Sequence, residues 1–411
     1  MVLLNIVLAR CLPKSEYGLF AVCMTALIVL SMLVRFGSDS ALLRFGGAAW
    51  QAQDRPKFNR FSFWAIALTC RNSLAVGSLG WIVLNLGPST TWDGSSSMQW
   101  LLVALLPWST IFTISFILKA CNRPALGSLL EVGMASLLTA VWVAIATWLG
   151  RDIRLEYVTQ VLLICSAIAC VIGITLLYVF GILPKVTRKD HPDHSDFSQY
   201  CRNAIVIALA QLLANWGTLF YLYYQWGTLP TADFNGAARF AAVTVFLVNL
   251  IVVVVAPRLS GLSAHGELEK FRQLVQRSSL LVSVVTMPIL LTMVVAAPWV
   301  LLILGPKYAT SWPLLSILAA GQLLGSIASF GPTALLMSGH EKVWRNVAVT
   351  VAISCVALAI LLCHFWGAWG TAIGVACYQA LYNWAAVLLA RQKLGVWALP
   401  NLTRITSGRT R

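Results

Sequence analysis

The sequence is short of charge. Asp, Glu, Lys and Arg make up 10% of its 411 residues, against 59% hydrophobic ones, whereas a soluble domain carries about 25% charged residues. That shortage excludes an ordinary soluble enzyme. Acids are rarer still, 14 against 29 Lys plus Arg, which leaves a formal net charge of +15. Metal and redox spacings are also missing. The ten cysteines form no CxxC pair and no His/Cys ligand set, and most fall inside apolar runs, so they read as small core residues with no metal or cofactor implied. A cleavable signal peptide is not evident, because Met1–Ala9 has neither a basic leader nor a small-residue cleavage site. Nine apolar residues cannot cross a bilayer, so this stretch reads as a shortened first helix. Long outer loops are absent too. The longest, about 88–98, holds a single acid, Asp93, which weighs against acid/base chemistry there.

Long apolar runs are present in abundance, and they make the chain an all-α polytopic membrane protein. The decisive stretch is Tyr17 to Val34, long enough to cross a bilayer, which takes about 20 residues. It ends by placing Arg35 and Asp39 one helical turn apart. After the stub, spans are expected at about 17–36 (running on to Trp50), 61–86, 99–118, 124–149, 157–181, 201–225, 234–256, 279–303, 312–337, 343–365 and 367–390. With the shortened first helix that makes about 12.

The basic residues then sort by side. Twenty-one of the 29 fall in inter-helix stretches of one side, from Arg44, Arg55, Lys57 and Arg60 through to the tail, and five on the other: Arg10, Lys14, Arg151, Arg154 and Lys307. This satisfies the positive-inside rule with both termini in the cytoplasm, and accounts for the net charge without nucleic acid. Three remain inside spans: Arg35, Arg71 and Arg239. Charges at that depth usually face a bundle interior or a wet cavity, so the reading is a transporter with a cationic central cavity.

A faint internal repeat points the same way. Asp54–Phe58 matches Glu267–Phe271 at an offset of 213, Glu16-Tyr17 matches Asp233-Phe234 at 217, and Leu118–Asn122 matches Leu336–His340 at 218. Such an offset indicates two six-helix lobes of like orientation, residues 1–190 and 191–411, one route to alternating access.

Several short motifs, in order, carry a family resemblance: Leu8-Ala9-Arg10 through Phe20, Gly37–Phe45 (GSDSALLRF), Leu118-Lys119-Ala120, Asp233–Arg239 (DFNGAAR), Pro257–Ser260 through Phe271, Leu304–Tyr308 and Met337–His340. On these the chain resembles the polysaccharide-transport family of the MATE-like (MOP) exporter superfamily, which includes O-antigen and exopolysaccharide lipid-linked oligosaccharide flippases. The resemblance implies two lobes around a central cavity in a bacterial inner membrane. It also implies a polyprenyl-diphosphate-linked oligosaccharide as substrate, and the bilayer and polysaccharide-assembly proteins as partners. This chain departs from the family in its incomplete first helix. The competing readings are a MATE-like ion-coupled antiporter of small solutes or drugs and, further off, a membrane-embedded polysaccharide polymerase or ligase.

A diphosphate headgroup calls for fixed cations, and the planar fork of arginine binds phosphate oxygens bidentately. Arg71 is the leading candidate, about 16 Å along the axis from Arg60 at 1.5 Å per residue; its alternative is an ion pair with Glu131 or Asp39. Arg35 and Asp39 either contact substrate or neutralise each other. Arg239 either faces the cavity or extends its aliphatic stem to the interface. Glu131 is a candidate ion-coupling carboxylate, or else a counter-ion to Arg71. Asn85, Gln211, Asn215, Gln225, Asn249, Gln322 and Gln379 read mainly as interhelical hydrogen-bonders. Of the 17 tryptophans, those near span ends suit interfacial belts. His191 and His194 read as part of a solvated loop, and Asn401-Leu402-Thr403 as a sequon in a cytoplasmic tail.

Overall fold

The computed structural model describes residues 1–86, 94–182, 195–264 and 266–400. Among these every regular element is a helix. The first six principal segments are α1 Val2–Cys11, α2 Lys14–Arg35, α3 Arg55–Leu86, α4 Ser95–Ala120, α5 (a bent pair, Pro124–Glu131 and Ala135–Trp148) and α6 Leu155–Val179. The next six are α7 Phe197–Trp226, α8 Thr228–Ser263, α9 Leu268–Val295, α10 Pro306–Ile327, α11 Glu341–Trp366 and α12 Ala368–Leu394. Ten of these are long and apolar enough to span a membrane, or eleven with the bent pair taken as one. The expected all-α polytopic fold with a short first helix therefore forms.

The chain divides into two compact units, Met1–Leu209 and Ala210–Arg411, and the division falls inside α7. The expected boundary at 190/191 lies outside the described residues, as do His191, His194 and the sequon at 401–403. The two units repeat one packing plan. Helices α2 to α6 begin at residues 14, 55, 95, 124 and 155, and α8 to α12 at 228, 268, 306, 341 and 368. In the first unit α4 packs on α2, α3 and α6, and α5 on α6; in the second, α10 packs on α8, α9 and α12, and α11 on α12. The sequence offset near 215 residues is thus an offset of whole helices.

Hydrocarbon offers no hydrophobic drive between helices, so close packing of small residues must hold them. The second unit does this with glycines four apart. A Cβ on Gly370 would lie 2.0 Å from Leu362 O, and one on Gly374 would lie 2.3 Å from Ala359 Cβ, which seats α12 on α11. Gly321 and Gly325 of α10 meet Ala376 and Gln379 of α12 just as closely, at 2.5 and 2.7 Å. In the first unit tight contacts fall where a Cβ on Gly127 of α5 would meet Ser115 O of α4, at 2.6 Å, and at the turn after α2. Gly37, at φ +72, would drive a Cβ to 2.5 Å from Cys201 O, and Phe197 stacks on Phe61 at 4.8 Å beside it on the same stretch of α7.

The cysteines behave as packing residues. All ten are free, and six are buried. Cys121, in the turn after α4, has its thiol pushed up to about 12 by burial, so it stays protonated and inert at neutral pH.

The glycine seam gives a direct test. Gly374→Val forces a branched side chain into backbone contact, and overpacking of this kind costs about 1–3 kcal/mol. The melting temperature of the full chain in neutral detergent should fall with Gly374→Val. It should hold with Gly47→Ala, where the added Cβ meets only Ala120 O at 4.0 Å.

Candidate functional site

The first unit gathers four charges where α2, α4 and α5 meet. Helix α2 ends at Arg35, and left-handed Phe36 (φ 49) and Gly37 turn the chain into a one-turn helix, Ser38–Ala41, that carries Asp39. The turn folds Asp39 back on Arg35, and buried Arg35 and half-buried Asp39 form an ion pair. Arg35 Nε donates to Ser31 O at 2.9 Å, and its guanidinium lies 4.5 Å over the ring of Phe112 on α4. Ser109 of α4 donates to Ser31 at 3.1 Å, and Asn72 of α3 donates to Val34 O at 3.0 Å. Arg35 and Asp39 therefore serve as a latch among three helices.

Glu131 is placed by a local irregularity. Leu129–Met134 winds as a π-helix inside α5, where the helix bends by 46°; such bulges are a recognised cause of sharp kinks and recur at functional sites. The bulge brings Glu131 onto Lys119, the penultimate residue of α4, as an ion pair, and Lys119 Nζ also lies 4.4 Å over Phe116. The counter-ion of Glu131 is thus Lys119 rather than Arg71. Glu131 further lines a crevice of about 10 Å³ with Trp108, Phe112 and Ser136, the smallest size that holds one water. Each of the two pairs thus matches one base with one acid. Asp39 Oδ1 and Trp108 Nε1 are buried there without a hydrogen-bond partner among the described residues.

Arg71 stands apart from this group. It sits mid-way along the 32 residues of α3, about 24 Å from either end. It is exposed, its guanidinium meets Asn72 Oδ1 at 3.4 Å, and no carboxylate among the described residues pairs with it. Ser78 and Asn85 follow at intervals of seven, which puts all three on one side of the helix. All are exposed, and Gln99 of α4 donates to Asn85 at 3.3 Å. Helix α3 thus carries a polar stripe headed by a cation without a carboxylate partner.

In the second unit Arg239 lies in α8, 9% exposed. Its Nε donates to Asn235 at 3.2 Å, and its guanidinium lies 4.2 Å over Trp216. Trp216 belongs to another π-helical stretch, Leu213–Gly217 of α7. Asp233 accepts from Ser311 at 2.6 Å. A polar seam runs beside them: Gln211 donates to Tyr382 at 2.6 Å, Gln379 to Asn215 at 3.4 Å, and Thr244 to Gln322. With Asn85, which accepts from Gln99 of α4, five of the polar residues expected to bridge helices therefore do so. Lys119 and Trp216 are the partners that sequence reasoning passed over.

The family model for polysaccharide biosynthesis proteins matches residues 2–263. The chain belongs to the polysaccharide biosynthesis protein family. No curated protein matches it in sequence. In structure it is similar to a multidrug resistance MATE family transporter of the MOP superfamily in the inward-facing conformation, with a TM-score of 0.74 at 14% identity over 96% of this chain and 93% of that one. The outward-facing conformation of such a transporter gives 0.73 at 14% identity over 96% and 91%. A MOP superfamily transporter from Pyrococcus furiosus Vc1 (DSM3638), described by the reverse polarity of its binding pocket, gives 0.72 at 13% identity over 96% and 91%. Both conformations fit equally well, so the likeness identifies the fold rather than a conformation. The family member described here is a multi-pass membrane protein with the MATE-like fold.

The four-charge group makes a prediction for stability. Asp39→Asn strands the buried Arg35, and removing one partner of a buried ion pair costs about 3–5 kcal/mol. The melting temperature in neutral detergent should drop, and the double change Arg35→Met with Asp39→Asn should recover most of the loss.

Proposed function

We propose that this protein is a flippase carrying a polyprenyl-diphosphate-linked oligosaccharide across the bacterial inner membrane by alternating access, for surface polysaccharide assembly, with both termini in the cytoplasm. The observation that carries the reading is Arg71. A guanidinium at mid-membrane depth with no carboxylate beside it, on a helix stripe of Ser78 and Asn85, suits a site for an anionic headgroup followed by hydroxyl-rich sugar. A polar face at that depth belongs against water rather than acyl chains. The diphosphate is held by arginine, the sugar meets amide and hydroxyl groups, and the polyprenyl tail stays in hydrocarbon.

The antiporter reading asks for a carboxylate that takes and releases an ion. Asp39 and Glu131, two half-buried carboxylates of the first unit, are already matched to Arg35 and Lys119, which favours the flippase. The Pyrococcus furiosus transporter, described by the reverse polarity of its binding pocket, supports the view that this fold accommodates pockets of different charge. Family and fold point to transport rather than to polymerase or ligase chemistry.

The test is complementation of a flippase-deficient bacterial strain. The native chain should restore surface polysaccharide. Arg71→Ala should cut the restored amount at least about tenfold, the worth of one charge-assisted phosphate hydrogen bond, with Arg71→Lys intermediate because it keeps the charge and loses the fork. Drug resistance without restored polysaccharide would move the assignment to the antiporter. Restoration untouched by Arg71→Ala would remove the arginine from the substrate path.

A further inference from the structure

A second basic site lies within the second unit. Where α8 ends and α9 begins, on the side of the membrane rich in Lys and Arg, the two helices enclose a pocket of about 610 Å³, within the range of small-ligand sites. Helical spacing builds it. Arg258 and Leu262 share one side of α8, and Lys270, Gln273 and Arg277 share one side of α9. Glu267 is the single acid in the lining, and it pairs with Lys270 at 2.7 Å. Arg258 and Arg277 are exposed, and no acid among the described residues pairs with them. The pocket therefore holds a surplus of two positive charges.

The same helix faces continue into the membrane as apolar surface. One and two turns inward from Arg258 stand Val254 and Leu250, 54% and 39% exposed; inward from Arg277 stand Leu281 and Val284, 51% and 62% exposed. A soluble anion has no use for that surface. A lipid does, because its acyl chains run along it while the phosphate sits among the arginines at the headgroup level, where basic residues draw anionic lipids.

We propose that this pocket binds the headgroup of an anionic phospholipid of the basic-side leaflet, with Arg258 and Arg277 on the phosphate and the acyl chains along Val254, Leu250 and Leu281. The site is independent of the Arg71 stripe. It would fasten the α8–α9 turn to the membrane surface and make the protein sensitive to lipid composition.

Native mass spectrometry of the full chain, released from neutral detergent with phosphatidylglycerol and phosphatidylcholine titrated in turn, tests it. Phosphatidylglycerol should be retained in preference to phosphatidylcholine. Arg258→Gln with Arg277→Gln should weaken that retention about 25-fold, about fivefold for each basic residue at the headgroup level. Lys342→Gln with Arg345→Gln, on another basic turn, should leave it unchanged. If the double variant does not fold, Arg258→Gln alone, at an exposed side chain, should show the fivefold loss. Equal retention of both lipids, or retention indifferent to the arginines, overturns the proposal. Displacement of phosphatidylglycerol by millimolar inorganic phosphate overturns it in favour of a soluble-anion site.

Discussion

A charge inside hydrocarbon must be answered, and the first unit is arranged around how it answers its own. Arg35 is answered by Asp39 and the ring of Phe112, and Lys119 by Glu131 and the ring of Phe116. These pairs cost desolvation and return it only if geometry and hydrogen bonds are good. The geometry is supplied by irregular backbone: a left-handed turn at Phe36 and Gly37 for one pair, a π-bulge in α5 for the other. Lys119 and Glu131 join α4 to α5 at one register, and Arg35 and Asp39 hold the turn that closes α2. Apolar packing follows from that register, because Ser31, Ser109 and Asn72 reach their partners only when α2, α3 and α4 sit at these heights.

The second unit fixes register differently. It has glycine pairs four apart where the first has ion pairs: Gly370 and Gly374 against α11, Gly321 and Gly325 against α12. Direct backbone approach gains dispersion and forbids sliding, since any shift drives Cα into a side chain. One packing plan, repeated after about 215 residues, is thus secured by ion pairs together with glycine contacts at Gly37 and Gly127 in one copy, and by glycine pairs four apart in the other.

Much of this was legible in the sequence, for identifiable reasons. Spans follow from length and hydropathy because a bilayer satisfies no backbone polar group, which forces helices. The six-helix repeat was legible because loop motifs such as Asp54–Phe58 and Glu267–Phe271 sit at the same helix starts, Arg55 and Leu268. The pairing of Arg35 with Asp39 was legible from their spacing. What failed to show were contacts made by departures from regular helix. Lys119 sorts with the loop cations, yet the α5 bulge brings Glu131 to it; nothing in the sequence marks Trp216, yet it sits in a π-helix beneath Arg239. Periodicity arguments assume 3.6 residues per turn, and a π-bulge breaks that assumption where function is expected to lie. The glycine pairs were in plain view as small residues four apart, but their partners are set by tertiary contact.

Taken together, the arginines separate into kinds. Arg35 is spent on a latch. Arg239 is stacked on Trp216 and held by Asn235. Arg71 has only the neighbouring amide of Asn72 at long range and stands exposed at the centre of α3. A guanidinium held within a spanning helix without a carboxylate costs free energy that packing does not return, because its charge is left to be met by water or by an anion. That separates Arg71 from Arg35, whose cost is met by Asp39 within one turn of chain.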